Sequence, residues 1–177
     1  MVAGDFNGDG KDDIAAMYYY GSDFGHTNDY AIHVFPSTGT SFSGPEWWLS
    51  GSNYDVRNVS GRLVAGDFDG NGVDDLVALF DTGGGGYRVD YFDSHGDSFT
   101  GPWTWASGTQ YYPSNVTGLM VAGDFNGDGR TDFTTMYDYG NKEFSFHAFV
   151  STPSGFSGPQ WWLSATMYNV KNLTNRI

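Results

Sequence analysis

The sequence predicts an all-β fold made by repeating one four-stranded antiparallel unit. Three observations carry this expectation. The 177 residues hold 14 Phe, 12 Tyr, 6 Trp and 26 Gly, and no long stretch shows the 3.6-residue apolar period of a helix, so aromatic strands cut by glycine turns are the natural reading. The segment VAGDFNGDGKDDIAAMY at 2–18 returns as VAGDFDGNGVDDLVALF at 64–80 and as VAGDFNGDGRTDFTTMY at 121–137. A second block, SFSGPEWWLSG at 41–51, returns as SFTGPWTWASG at 98–108 and GFSGPQWWLSA at 155–165.

Gly4, Gly66 and Gly123 mark one repeat position, 62 and 57 residues apart, which divides the chain into units at 1–62, 63–119 and 120–177. In the middle unit, LVAGDF (63–68) reads as a first strand and 67–75 as an acidic loop. LVALFD (76–81), YRVDYFD (87–93) and SFTGPWTWA (98–106) read as three more strands, with TGGGG and SHGD as the turns between them. Pro102 belongs at a strand start or sheet edge, where its missing N–H does no harm. In the first unit the loop at 21–29 takes up most of the extra length. Four short antiparallel strands per unit, repeated at this period, describe the blades of a β-propeller. Met1, Leu63, Met120 and Ile177 share one repeat position, so the chain reads as three whole blades cut in phase. Propellers usually have about four to eight blades. The expectation is therefore a homodimer closing a six-bladed ring, with an excerpt from a longer propeller as the alternative.

Composition narrows the function. The net charge of −13 argues against nucleic acid, which needs clustered Lys and Arg. There is no Cys, hence no disulfide or thiolate metal site. No apolar run of membrane-spanning length occurs, so membrane insertion is not expected. Of 21 acidic residues only Glu46 and Glu143 are Glu; Asp suits turns and compact oxygen-ligand loops.

Each acidic loop reads Asp-x-Asp/Asn-x-Asp/Asn-Gly-x-x-Asp. Positions 1, 3, 5 and 9 carry Asp5, Asn7, Asp9 and Asp13, then Asp67, Asp69, Asn71 and Asp75, then Asp124, Asn126, Asp128 and Asp132. Alternate spacing lets short side-chain oxygens converge on one point, Gly at position 6 permits the sharp turn, and position 7 (Lys11, Val73, Arg130) can add a backbone carbonyl. Such a set points to Ca²⁺, one ion per loop, more than to the strict octahedron of Mg²⁺. An EF-hand is excluded in all three copies: it needs Glu at position 12 and flanking helices, whereas Ala16, Ala78 and Thr135 stand there between strands. An ion-free Asx-rich turn is the plainer alternative. Asp12 and Asp74, matched by Thr131, read as outward-facing.

The VAGDFNGDG..D segments, with F.GP..W further on, resemble the FG-GAP or VCBS-type repeat of integrin α-chain propellers, bacterial secreted proteins and some fungal lectins, closest to the bacterial versions. The resemblance covers all three units. It implies a propeller with Ca²⁺ between the first two strands of each blade, and a non-catalytic recognition or scaffold role at the cell surface or in secretion.

Trp48, Trp105 and Trp162 share one repeat position and are expected between blades. Trp47 and Trp161 point the other way along the strand and are the candidates for stacking on sugar. His33 and His147 match on the third strand, with no repeated Ser or carboxylate beside them, so no catalytic site is read and the chain is not expected to be an enzyme. Asn58, Asn115 and Asn172 lie in N-x-S/T sequons, which a turn preference copied by repetition also explains. The functional expectation is a lectin-like, calcium-stabilised module. Its alternatives are a protein-interaction or adhesion scaffold, or a structural repeat accompanying an enzyme domain outside these residues.

Overall fold

The computed structural model describes residues 1–23 and 25–173. They form three four-stranded sheets, each a simple antiparallel meander in chain order. The first holds β1 (Val2–Gly4), β2 (Asp13–Gly21), β3 (Asp29–Phe35) and β4 (Glu46–Gly51). The second holds β5 (Leu63–Gly66), β6 (Asp75–Gly83), β7 (Gly86–Ser94) and β8 (Phe99–Gly108). The third holds β9 (Val116–Gly123), β10 (Asp132–Gly140), β11 (Glu143–Thr152) and β12 (Gly155–Ala165). This is the all-β, four-strand-per-unit architecture that the repeats imply. The strands β1, β5 and β9 lie innermost, and Val2, Ala3, Leu63, Ala65, Met120 and Ala122 line a shared cavity between them. The position assigned to Ile177 lies outside the described residues.

The first strand of the middle unit ends at Gly66, not at Phe68. The acidic loop takes over there, and Phe68 drops from the ladder into the seam between blades. Pro102 and Pro159 fall inside β8 and β12. These are the outer strands of their sheets, so a missing N–H breaks no second ladder, and the pairing register shifts beside each proline.

Strand alternation sends every second side chain to one neighbouring blade and the rest to the other. Ala15, Ile32, Val34 and Trp48 of the first blade pack on Leu76, Phe80, Phe92 and Phe99 of the second. Val77, Leu79, Val89 and Tyr91 of the second pack on Phe133, Tyr137, Phe149 and Phe156 of the third. The aromatic rings meet edge-on or tilted, as Phe6 on Phe99 at 5.6 Å and Phe68 on Phe156 at 5.7 Å, the favoured geometries for such pairs. Fully burying one such ring is worth roughly 2–3 kcal/mol, so the two seams hold the arc together.

Of the recurrent tryptophans, Trp48 is buried against Phe99, and Trp105 stacks on Tyr91 at 3.7 Å inside the second seam. Trp162 has the same orientation but is exposed, because its seam lies on the free face of the third blade.

Candidate metal centre and aromatic notches

The acidic loops are shaped first by their own backbone. Gly10, Gly72 and Gly129 have φ of 84°, 90° and 88°, the left-handed conformation that position 6 requires and that a Cβ would strain. The position-1 carboxylate collects the loop amides. Asp67 Oδ1 accepts from the amides of Gly70 and Asn71 at 2.7 and 2.9 Å, and its Oδ2 from Gly72 at 2.9 Å. Asp124 does the same with Gly127, Asp128 and Gly129; the Gly129 amide leads in holding its carboxyl below the usual range. Position 3 caps the next amide: Asn7 Oδ1 accepts from Asp9 at 2.9 Å, and Asp69 Oδ1 from Asn71 at 2.9 Å.

Position 9 is buried in all three loops. Its Oδ1 accepts from the amide at the outer end of the third strand or just beyond it: Ser37 at 2.7 Å, Ser94 at 2.9 Å and Ser151 at 2.8 Å. Its Oδ2 faces the loop, accepting from Phe68 N at 3.3 Å in the second blade and from Phe125 N at 3.2 Å in the third. In the first blade Asp13 Oδ2 is buried with no hydrogen-bond partner.

The loops are not equivalent. Among the described residues one cluster of three carboxylates comes together: Asp67, Asp69 and Asp75, whose ligand oxygens lie within 4.8 Å of one another. Burial pushes the Asp75 carboxyl up to about 8, with Asp69 and Asp93 adding to the rise. Burial also raises Asp69. Burial disfavours the anionic form of these groups, and a cation held among them would restore it. The donors are hard oxygens on one short loop, the set that suits Ca²⁺. In the outer two loops the position-7 side chain competes. Lys11 Nζ sits 2.7 Å from Asp9 Oδ2, and Arg130 pairs with Asp128. In the second loop position 7 is Val73, whose side chain cannot do this, and position 5 is the uncharged Asn71.

Position 8 overturns one expectation. Asp74 does not face outward: its carboxylate accepts from Asp5 N of the preceding blade at 2.9 Å, and its own amide donates to Asp5 O at 3.0 Å. Thr131 N likewise donates to Asp67 O at 2.7 Å. Alignment within one loop could not show this, because the receiving group belongs to the previous unit. Asp12, on the first blade, is exposed.

The second feature lies on the opposite face of the Trp-bearing strands. In the third blade His147 pairs across the sheet with both Thr135 and Trp161. Its Nε2 is 3.3 Å from Tyr139 Oη, and the Trp161 indole N–H donates to that same hydroxyl at 3.2 Å. The imidazole is buried among Tyr111, Tyr137 and Trp161, which pushes it down to about 4. The first blade repeats the arrangement with His33, Tyr20 and Trp47: Tyr20 Oη lies 3.0 Å from His33 Nε2, and the His33 and Trp47 rings are 4.9 Å apart. In the second blade the same register holds Asp90 and Thr104, and Asp90 is occupied by Arg88 at 2.6 and 2.9 Å. Two blades thus carry an aromatic notch and the middle one an ion pair. Trp161 is 63% exposed and Trp47 54%. A groove beside Trp161 is lined by Tyr139, Glu143, Ser145 and Ser164. Matching His33 and His147 was within reach of the sequence. The tyrosine that meets each histidine, Tyr20 or Tyr139, was not, because the contact joins residues on different strands.

Asn115 of the second sequon has a structural occupation: its Nδ2 donates to Tyr137 Oη at 3.0 Å. Thr174 of the third sequon lies outside the described residues.

An arc of four-stranded blades with an Asp-rich loop after each innermost strand defines a β-propeller type of repeat protein. Residues 1–35 match the FG-GAP repeat and residues 67–135 the FG-GAP-like repeat, together more than half of the chain. The chain belongs to the FG-GAP repeat family. No curated protein matches it. Among the described residues no helix is long and apolar enough to cross a membrane.

Proposed function

We propose that this protein is a calcium-stabilised, non-enzymatic recognition module acting outside the cell, and that it takes carbohydrate at the notches around Trp47 and Trp161. The observation that carries the reading is the duplicated Tyr–His–Trp geometry. An exposed indole is held at a fixed angle by a buried histidine and a tyrosine hydroxyl, beside a groove with carboxylate and hydroxyl groups. The apolar face of a pyranose stacks on such a ring while its hydroxyls meet polar groups at the edge. Ca²⁺ would be held first by Asp67, Asp69 and Asp75, with Asn71 and the Val73 carbonyl available to complete the set. It would neutralise charge in the loop and tighten it. Weak calcium sites of this kind suit extracellular modules, where the ion is abundant. The non-catalytic, extracellular assignment is supported by membership in the FG-GAP family.

A glycan array probed in calcium buffer tests the reading. Binding that Trp47→Ala and Trp161→Ala together abolish, with an unchanged circular dichroism spectrum, supports it. An array without a single bound sugar, or binding indifferent to both substitutions, sinks the carbohydrate assignment.

A further inference from the structure

We infer that Glu143 sets the class of sugar taken at the third-blade notch: a ring that presents hydroxyl or ammonium donors, and not one that carries a carboxylate or a sulfate. The inference rests on the carbohydrate reading above and adds a charge rule to it.

Every group of this notch belongs to the third blade. Strand alternation puts Glu143, Ser145 and His147 of β11 on one face, and the ladder sets Ser145 opposite Ser164 and His147 opposite Trp161 on β12. That face is turned to the second blade. Tyr111 of the second unit lies against His147 at 5.6 Å, and Tyr87 Oη donates to the Gly158 carbonyl on β12 at 3.3 Å. The groove beside Trp161 has a volume of about 450 Å³ and is lined by Tyr139, Glu143, Ser145, Trp161, Ser164 and Thr166. Its size falls within the range of small-ligand sites.

Most polar groups of the groove already have partners. The Trp161 indole N–H is given to Tyr139 Oη, which also meets His147 Nε2. The indole thus offers a ligand its face and not its N–H. Ser145 Oγ and Ser164 Oγ bond one another at 2.6 Å. Glu143 differs. It is exposed, and among the described residues no hydrogen bond or ion pair holds its carboxylate, not even one from the adjacent Lys142. An ionised carboxylate only accepts hydrogen bonds. The group it can take in the groove is a donor: neighbouring hydroxyls of a sugar ring, or an ammonium. An anionic ring would meet a like charge there, and the net charge of −13 adds to the repulsion at longer range.

The acidic wall is particular to this blade. The same register holds Asp29 in the first blade and Gly86 in the second. Asp29 is 3% exposed, with the His26 ring 3.5 Å from its Oδ1, and Gly86 has no side chain. Charge selection therefore follows Glu143 and not the aromatic platform, which Trp47 duplicates.

The test is titration of the full chain in calcium buffer with glucose, glucosamine and glucuronate, and with galactose, galactosamine and galacturonate, read at the Trp161 indole N–H resonance. The neutral and amino forms of one ring should shift that resonance. The uronate of the same ring should bind at least about tenfold more weakly, the worth of one hydrogen bond to a charged group. Glu143→Gln removes the charge and keeps the shape; it should close most of that gap with the strand spectrum unchanged. Two results overturn the inference and leave the carbohydrate reading in place: a uronate that binds as tightly as its neutral form, or a gap that survives Glu143→Gln. A resonance that none of the six sugars shifts overturns the inference as well, and the glycan array then decides the carbohydrate reading on its own.

Discussion

The amide of Asp5 donates to the Asp74 carboxylate at 2.9 Å, and the amide of Asp74 returns a hydrogen bond to the Asp5 carbonyl at 3.0 Å. Asp5 is position 1 of one acidic loop and Asp74 position 8 of the next, so loops and seams share backbone. Hydrogen bonds to a charged group contribute about 1.5–3 kcal/mol. Asp74→Ala should therefore lower stability by about 1–2 kcal/mol in urea unfolding, while Asp74→Thr, which copies Thr131, should recover part of it. Equal stability of the alanine variant and the natural chain would remove this contact from the account.

The unequal loops set a calcium prediction. The middle site should bind first and most tightly, because Lys11 and Arg130 occupy Asp9 and Asp128 in the outer two. Asp67→Ala should erase the tightest class in a calorimetric titration and leave the weaker ones. Calcium at a hundredfold excess over Kd should stabilise the fold by about 2.7 kcal/mol per site. Chelation should lower the melting temperature by the same linkage. Identical melting curves in EDTA and in calcium would contradict this.

Cavity formation separates the seams from the free face. Phe68→Ala empties a fully buried position and should cost about 3–5 kcal/mol. Phe125→Ala, at the same repeat position but exposed, should cost about 1 kcal/mol or less. Denaturant midpoints for the two variants give the comparison directly, and equal losses would mean that Phe125 is already covered.

His147 makes stability fall on acidification. Its folded pKa of about 4 lies below the ordinary 6.5 because burial disfavours the charged ring. The stabilising difference is complete above pH 6.5. It is lost as pH drops toward 4, because the unfolded chain takes up a proton that the folded chain refuses. The loss is roughly 1.4 kcal/mol per pH unit, or about 3 kcal/mol across the window. His147→Gln should flatten the pH dependence by that amount in unfolding curves at pH 7 and pH 4.5. An unchanged slope would show that the imidazole titrates normally.

Much of this was legible in the sequence because a repeat prints its rules three times. The strands followed from aromatic alternation, the loops from Asp spacing, and the opposite aim of Trp47 and Trp48 from the strand period. What escaped were the polar contacts that one unit makes with its neighbour. The position-8 residue looked outward because its acceptor and donor lie 69 residues earlier in the chain. The competition of Lys11 and Arg130 for loop carboxylates escaped because position 7 was weighed only for its carbonyl. The Tyr139–His147–Trp161 link joins three strands, and pair spacing along one strand carries no trace of it.

The small seat beside Gly4 and Gly66, which position 8 of the following blade fills, has a bearing on how such chains can change length. Each junction uses the same repeat positions on each side, and the glycine seat accepts Asp74 in one and Thr131 in the other. A duplication or loss of one whole unit would bring matching surfaces together without any new substitution. Blade number can drift by recombination in this architecture while every internal boundary stays the same.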